Sequence, residues 1–399
     1  MADMIVLGLG GTVDYEVEWD DVVVGDLARS YAITAEELEP GLPIVDERGL
    51  LVSLLAFVRD GAGGERFIAS SDIARSFASR FDVRVTLGGT CVRGAIAMQS
   101  VGVESVVHLV SIDDDVRRLL PPRVRWVCSA DADTTDPHLI VQFPQGAHIE
   151  LGDAVLTAPH PNRVIFANDP PNRDLRLSGE LPRLLADAGI FLVSGFNTIQ
   201  DEAVLGERLA EIERLVAGLP AGAVSIYEDA GFHVPALSAV ARDAMAPVVD
   251  LYSLNEDELA SYLGGVIDLG DAASVARALG QARELIPART LMVHTKLWSV
   301  LLGERAMEWE HALRGGIVMA STRYLHGDGH DASDYERTAA LPTNPDGVRV
   351  ADALPELVDE PLVCLPGLAL ATTRPTTIGL GDTFIGGFIA ALAREESHV

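Results

Sequence analysis

Near its C-terminal end the chain reads Gly379-Leu380-Gly381-Asp382-Thr383-Phe384, a small glycine-rich turn carrying one carboxylate. Phe384, Phe388 and Leu392 then recur every four residues with Ile385 and Ile389 beside them, which predicts a helix with one apolar face. The first amides of a helix lack acceptors within it, and the helix dipole favours negative charge at that end. The amides of Gly379, Leu380 and Gly381 are therefore candidates for an anion hole, with Asp382 as a base. Donors for a migrating phosphoryl group and an acceptor for an alcohol proton are what phosphoryl transfer to a hydroxyl needs. The competing reading is an Asp that caps a packed helix.

Other polar residues follow predicted strands. They are Gly10-Gly11-Thr12-Val13-Asp14, Gly88-Gly89-Thr90, Ser194-Gly195-Phe196-Asn197, Glu228-Asp229, Asn255-Glu256-Asp257-Glu258 and His294-Thr295-Lys296. In parallel sheets ligands gather at the C-terminal strand ends, so these residues and Asp382 are expected on one side of one sheet. Each also has an ordinary reading. Asn255 to Glu258 has the spacing of a capping box. Glu228 and Asp229 could be a solvated strand end, His294 a satisfied core histidine, Asp14 a turn residue, and Gly88-Gly89 a tight turn. Gly8-Leu9-Gly10 invites a dinucleotide reading, but Val13 stands where the third glycine belongs, and no P-loop pattern occurs.

The elements that must hold these residues alternate along the chain. Residues 4–9 read as a buried strand ending in a tight turn. Residues 73–81, 93–101, 201–217, 235–245, 255–263 and 272–286 read as helices. Residues 105–110, 190–193, 223–227, 248–252 and 290–294 read as strands, with 299–302 pairing with the last. Such strand–helix units imply a doubly wound, mostly parallel sheet with helices on both faces. Residues 15–65 and 131–175 break the rhythm. The first contains Glu16-Val17-Glu18-Trp19 and Asp21-Val22-Val23-Val24, read as sheet-like, and a helix near 50–58. The expectation is one smaller sheet built from these two insertions. It accompanies a large α/β domain of residues 1–14, 66–130 and 176–399. Residues 314–355 read as the loosest region.

Composition narrows the partners. The 399 residues carry a net charge of -29, which argues against nucleic acid and anionic membrane surfaces. A polyphosphate ligand would then need backbone amides, a few Arg or Lys, and a divalent cation. Cys91, Cys128 and Cys364 are too scattered for a disulfide framework or a zinc site. No targeting pattern or membrane-length apolar run stands out, so a cytoplasmic protein is expected.

Taken in order, these segments resemble the ribokinase superfamily, and more closely its ADP-dependent glucokinase/phosphofructokinase family. Gly379 to Thr383 looks like the superfamily's anion-hole and catalytic-Asp motif, and Asn255-Glu256-Asp257-Glu258 like its Asn-x-x-Glu metal motif. Gly88-Gly89 matches its sugar-site glycines. His138-Leu139-Ile140-Val141-Gln142-Phe143-Pro144, Asn162-Arg163-Val164-Ile165, Ser194-Gly195-Phe196-Asn197 and Val293-His294-Thr295-Lys296 are similar to segments of the ADP-dependent family. One departure stands out: the family's His-x-Glu is Ile226-Tyr227-Glu228 here. The resemblance implies a ribokinase-like large domain with a small β-sheet lid, and a sugar kinase using ADP, with ATP or a non-catalytic binder as alternatives. It implies Asp382 as base, and Gly379, Leu380 and Gly381 as anion hole. Asp14, Gly88, Gly89 and Asn197 would lie at the sugar, and Arg163, Asn255, His294 and Thr295 at the nucleotide. Glu228 and Glu258 would hold Mg2+ through water. Arg93 and Arg173 are candidates for a sugar phosphate, and the chain would act as monomer or homodimer.

Overall fold

The computed structural model describes residues 4–372 and 375–396. In chain order its first strands are β1 (Met4–Leu7), β2 (Thr12–Glu18), β3 (Gly64–Phe67), β4 (Val83–Gly88), β5 (Ser105–Leu109), β6 (Val124–Cys128), β7 (His138–Phe143), β8 (His148–Leu151), β9 (Ala154–Thr157) and β10 (Asn162–Ala167). The later ones are β11 (Ala188–Val193), β12 (Val224–Glu228), β13 (Leu251–Asn255), β14 (Thr290–His294), β15 (Trp298–Gly303) and β16 (Leu362–Pro366).

Among the described residues, nine strands form the large sheet in the order β16-β15-β14-β13-β12-β11-β1-β5-β6. From β14 through β6 every pairing is parallel, while β15 runs antiparallel to both β14 and β16. Strands such as Ala188–Val193 are buried along their whole length, as a sheet covered on both faces requires. One face packs the helices Thr90–Ser100, Glu310–His326 and Leu380–Glu396 into a core that includes Phe388, Trp309 and Met98. The other face packs Glu202–Ala217, Ala236–Met245 and Ala272–Leu285 around Leu209, Tyr252 and Leu279. This is the α/β class expected from sequence.

The second sheet has the order β3-β10-β7-β2-β4. Val17, Leu139, Val141, Phe143, Val164 and Phe166 turn toward the helices Asp21–Ser30, Glu47–Asp60 and Ser71–Ala78 and form its core. Alternation then places Asp14, Glu16, Gln142 and Arg163 on the opposite face. That face meets the large unit, where Arg93 pairs with Asp14 and the His233 ring packs 4.8 Å from Phe67. Helices cover the other face.

Several expectations need correction. Sheet membership does not follow the partition into 15–65 and 131–175. Here β2 starts at Thr12, and both the helix Ser71–Ala78 and β4 belong to the smaller layer. Asp21-Val22-Val23-Val24 is helical: Asp20 caps it, accepting from the amides of Val22 at 2.8 Å and Val23 at 3.1 Å, and the cap overrides the β-branched run. The strand expected at 248–252 runs Leu251–Asn255. Residues 314–355 are mostly helical, with Glu310–His326, Ala332–Ala339 and Pro345–Ala353. The misleading Gly315-Gly316 is a packing device. A Cβ on Gly315 would stand 2.8 Å from the Gly387 carbonyl, so the absence of side chains lets this helix lie against Leu380–Glu396.

Candidate active site

Asp382 is the third residue of the helix Leu380–Glu396, so it sits inside the first turn and is not the capping residue. Gly379 precedes that helix at φ +67°, and a Cβ there would meet the Arg93 Cδ at 2.6 Å. Both the left-handed backbone and the close Arg93 call for glycine. The first intrahelical bond, Thr383 N–H to the Gly379 carbonyl at 3.0 Å, leaves the preceding amides pointing out of the helix. Asp382 Oδ1 accepts from the Thr90 hydroxyl at 2.8 Å. Thr90 begins the helix Thr90–Ser100, so two helix N-termini, and two positive dipole ends, meet at this carboxylate. The Asp382 side chain remains 25% exposed and open to a ligand.

Arg93 joins this point to Asp14. Its Nη2 donates to Asp14 Oδ2 at 2.9 Å, and its Nε lies 3.8 Å from Asp382 Oδ2. Burial disfavours the guanidinium charge, but Asp14 and Asp382 more than offset this and raise its pKa. Asp14 is therefore a buried strand residue, not a turn Asp, and it also accepts from the Thr12 hydroxyl at 2.7 Å. A Cβ on Gly88 would fall 2.4 Å from Asp14 Oδ2, which keeps that position bare beside the carboxylate. Gly89 follows as the residue before the helix Thr90–Ser100. Arg93, read from sequence as a sugar-phosphate candidate, is already committed to these two carboxylates. Arg173 lies in the short helix Pro170–Asp174, half-buried.

Beside Asp14 the fold adds groups that the motifs did not single out. His138 Nε2 lies 3.1 Å from Asp169 Oδ2. Burial lowers the His138 pKa, but Asp169, Asp14 and Glu65 outweigh it and raise the value. Burial alone would raise the Glu65 carboxyl, yet His233, His138 and Arg163 hold it below its usual value. The pairing of β2 with β7 puts Asp14 and His138 in register, a contact the family-like segment His138–Pro144 did not by itself reveal.

The other carboxylates meet at the ends of β12 and β13. Glu228 and Asp229 are buried, so neither is a solvated strand end. His294 Nε2 donates to Glu228 Oε1 at 2.9 Å, and its ring stacks 4.5 Å from Phe384. Ile226 is fully buried in the core, so the imidazole near Glu228 comes from β14 instead of from position 226. Asp229 accepts hydroxyls from Tyr252 at 2.6 Å, Tyr262 at 2.5 Å and Tyr227 at 3.3 Å. Asn255 and Glu258 form the capping box: the Asn255 amide donates to Glu258 Oε2 at 2.7 Å, and Asn255 Oδ1 accepts from Glu258 N at 3.1 Å. Burial, then Asp229 and Glu228, push the Glu258 carboxyl well above its usual range, even against the Asn255 amide.

This donor set can be tested against a divalent cation. Glu228 Oε2 is buried with no hydrogen-bond partner, and it helps, after burial, to suppress the charge of the Glu258 carboxyl. Added positive charge would relieve both. Among the described residues no three His, Cys, Asp or Glu side chains converge as a metal cage. The pattern fits hydrated Mg2+, which uses one or two carboxylates and keeps several waters.

A family model described as the ADP-specific phosphofructokinase/glucokinase conserved region matches residues 3–388. The chain belongs to this family. It is therefore a sugar kinase, a phosphotransferase with an alcohol acceptor. Its fold is similar to a hypothetical ADP-dependent phosphofructokinase from Pyrococcus horikoshii OT3, with TM-score 0.81 and 16% identity over 100% of this chain and 99% of that one. It is also similar to a last common ancestor of ADP-dependent phosphofructokinases from Methanosarcinales, with TM-score 0.76 and 14% identity over 98% and 93%. An ADP-dependent kinase in complex with fructose-6-phosphate and ADPβS gives TM-score 0.72 and 14% identity over 98% and 93%. No curated protein matches the chain by sequence.

Within this kinase the remaining candidates are less free than their motifs suggest. The Thr295 hydroxyl donates to the Trp298 carbonyl at 2.7 Å and accepts from the amides of Leu297 and Trp298, so it builds the β14–β15 turn. The Asn197 carbonyl accepts from His233 N at 3.1 Å in the turn Phe196–Thr198. Arg163 pairs in register with Gln142 on the face of the smaller sheet that meets the large unit. No described helix is long and apolar enough to cross a membrane.

Proposed function

We propose that this sugar kinase takes its phosphoryl group from ADP, with Mg2+, and passes it to a hydroxyl of a sugar or sugar phosphate, leaving AMP. The observation that carries the reading is the union of Asp382, two helix N-termini and Arg93 at one partly open point. Asp382 takes the proton of the acceptor hydroxyl. The amides of Gly379, Leu380 and Gly381 face the charge that builds on the transferring group. Arg93 holds Asp382 and Asp14 at a fixed spacing, so base and sugar-binding carboxylate move as one. Gly88, Gly89 and Asn197 complete the sugar side, while Arg163, Asn255, His294 and Thr295 line the nucleotide side.

Glu228 and Glu258 are the residues that would hold Mg2+ through water. When bound, the ion supplies positive charge to the phosphate oxygens in a chain whose own charge is -29. The smaller layer acts as the lid, and its closure keeps water from replacing the sugar. Similar structures in complex with AMP, or with fructose-6-phosphate and ADPβS, support a nucleotide and a sugar phosphate as ligands here. Three unpaired thiols suit a reducing cytoplasm.

The test is a chromatographic nucleotide assay with Mg2+ and a pooled sugar panel, run separately with ADP and ATP and with adenylate kinase inhibited. Sugar-dependent AMP from ADP is the expected result. Sugar-dependent ADP from ATP, with none from ADP, would overturn the donor assignment. No turnover with either nucleotide across the panel would favour a binder over a kinase with these acceptors.

A further inference from the structure

Arg323 lies in the helix Glu310–His326 with 4% of its side chain exposed. Its Nε donates to the Ile378 carbonyl at 3.0 Å, immediately before Gly379 of the anion hole. The Thr376 amide donates to the Tyr324 carbonyl at 3.1 Å, so residues 376–378 are stitched twice to the end of that helix. Arg323 also pairs with Asp328, and Asp328 pairs in turn with Arg84 of β4, on the smaller layer. Four residues beyond Arg84 the same strand ends at Gly88, followed by Thr90, whose hydroxyl holds Asp382. These groups border a groove of about 900 Å3 between the two layers, lined by Glu16, Arg84, Arg323, Asp328 and Ile378 among others.

Position and chemistry both set Arg323 apart from a packing residue. Burial and the nearby Arg93 work against its charge, which Asp328 and Asp382 partly offset. An apolar side chain would fill the same space without that cost. What a guanidinium adds is directional: one N–H fixes the carbonyl that enters the anion hole, while another meets a carboxylate shared with the opposite layer.

We propose that Arg323 is a positioning residue for the anion hole, and that Asp328 couples it to the smaller layer through Arg84. This rests on the kinase reading above. With the layers apart, Asp328 loses Arg84 and Arg323 holds the Ile378 carbonyl less firmly. With them together, the relay Arg84–Asp328–Arg323 fixes the loop and aims its amides. The relay thus makes full transfer competence depend on closure over the sugar.

The test uses the full chain, after wild-type protein has shown sugar-dependent turnover; without that turnover the function proposal fails, and this one is not the cause. Arg84 is 59% exposed, so Arg84→Gln leaves the core intact. The expected result is a kcat reduced about fivefold or more, with nucleotide KM unchanged. Arg84→Lys should restore most of it, and Arg323→Lys should retain more kcat than Arg323→Met. Asp328→Asn should lower kcat similarly, and the double variant R84Q/D328N should lose no more than D328N alone. Wild-type kcat in R84Q, or losses that multiply in the double variant, would overturn the proposal.

Discussion

His294 reaches from β14 past β13 to place Nε2 2.9 Å from Glu228 Oε1 on β12, while its ring stacks on Phe384. One imidazole thus contacts both the candidate metal-side carboxylate and the helix that carries Asp382. The two halves of the site are joined by a residue that no local motif would pair with Glu228. In His294→Phe the stack on Phe384 survives but the donor is lost, and both Glu228 oxygens become buried without partners. The expected cost is about 1–3 kcal/mol in urea unfolding. An unchanged midpoint would show that another donor replaces the imidazole.

Asp382→Asn should lower turnover by about two orders of magnitude or more, the size associated with losing a general base. Nucleotide binding, followed by calorimetry, should persist because the amides before the helix are untouched. Wild-type turnover in this variant would remove Asp382 from the chemistry.

Arg93→Met should be severe. It strips the shared cation from Asp14 and Asp382 and leaves charge buried near the helix crossing. A loss of about 3–5 kcal/mol is expected from breaking a buried ion pair on one side. Chemical denaturation measures it directly, and a change below about 1 kcal/mol, the range of an exposed pair, would mean that water screens the site.

Glu258→Gln bears on the cation. Its Mg2+ activation curve should shift to higher concentration, since a carboxylate beside Glu228 is lost while the amide can still accept from Asn255. If the curve stays in place, Asn255 to Glu258 serves as a helix cap alone.

His138 sets a pH dependence. Its pKa is raised above the ordinary 6.5 in the folded protein, because Asp169, Asp14 and Glu65 outweigh burial. The imidazolium therefore stabilises the fold fully below about pH 6.5, and that contribution fades as pH climbs through the raised value. Thermal unfolding of wild type and His138→Gln should differ most at low pH and converge as pH rises. A gap that is constant across this range would assign the difference to packing instead.

Much of the site was legible because it obeys local rules. Asp382 follows a glycine-rich turn at a helix start, and Asn255 to Glu258 has capping-box spacing that the structure reproduces as a capping box. The capping half of that reading is what the structure shows; the cation half is a proposal. The same four residues form a cap and place an acidic group next to Glu228. By contrast, the helices across residues 310–353 were hidden because Gly315-Gly316 looks like a turn until Gly387 is seen packed against it. Val83–Gly88 joins the smaller sheet by pairing with β2, a distant partner that short-range pattern does not reveal.

The sequence by itself determined the alternation of apolar runs and amphipathic stretches, and hence a parallel sheet with polar residues at its C-terminal strand ends. It also determined the family, since motif order survives even where sequence identity to similar solved structures is only 16%. These are properties of periodicity and neighbouring residues. Tertiary structure alone decided that Arg93 bridges Asp14 and Asp382, that His294 brings an imidazole to Glu228, and that Arg323 ties the anion-hole loop to Asp328 and Arg84. Each of these links joins residues far apart in the chain. Their energy depends on burial and on distances of a few ångströms, which fall off too steeply to be read from separation along a sequence.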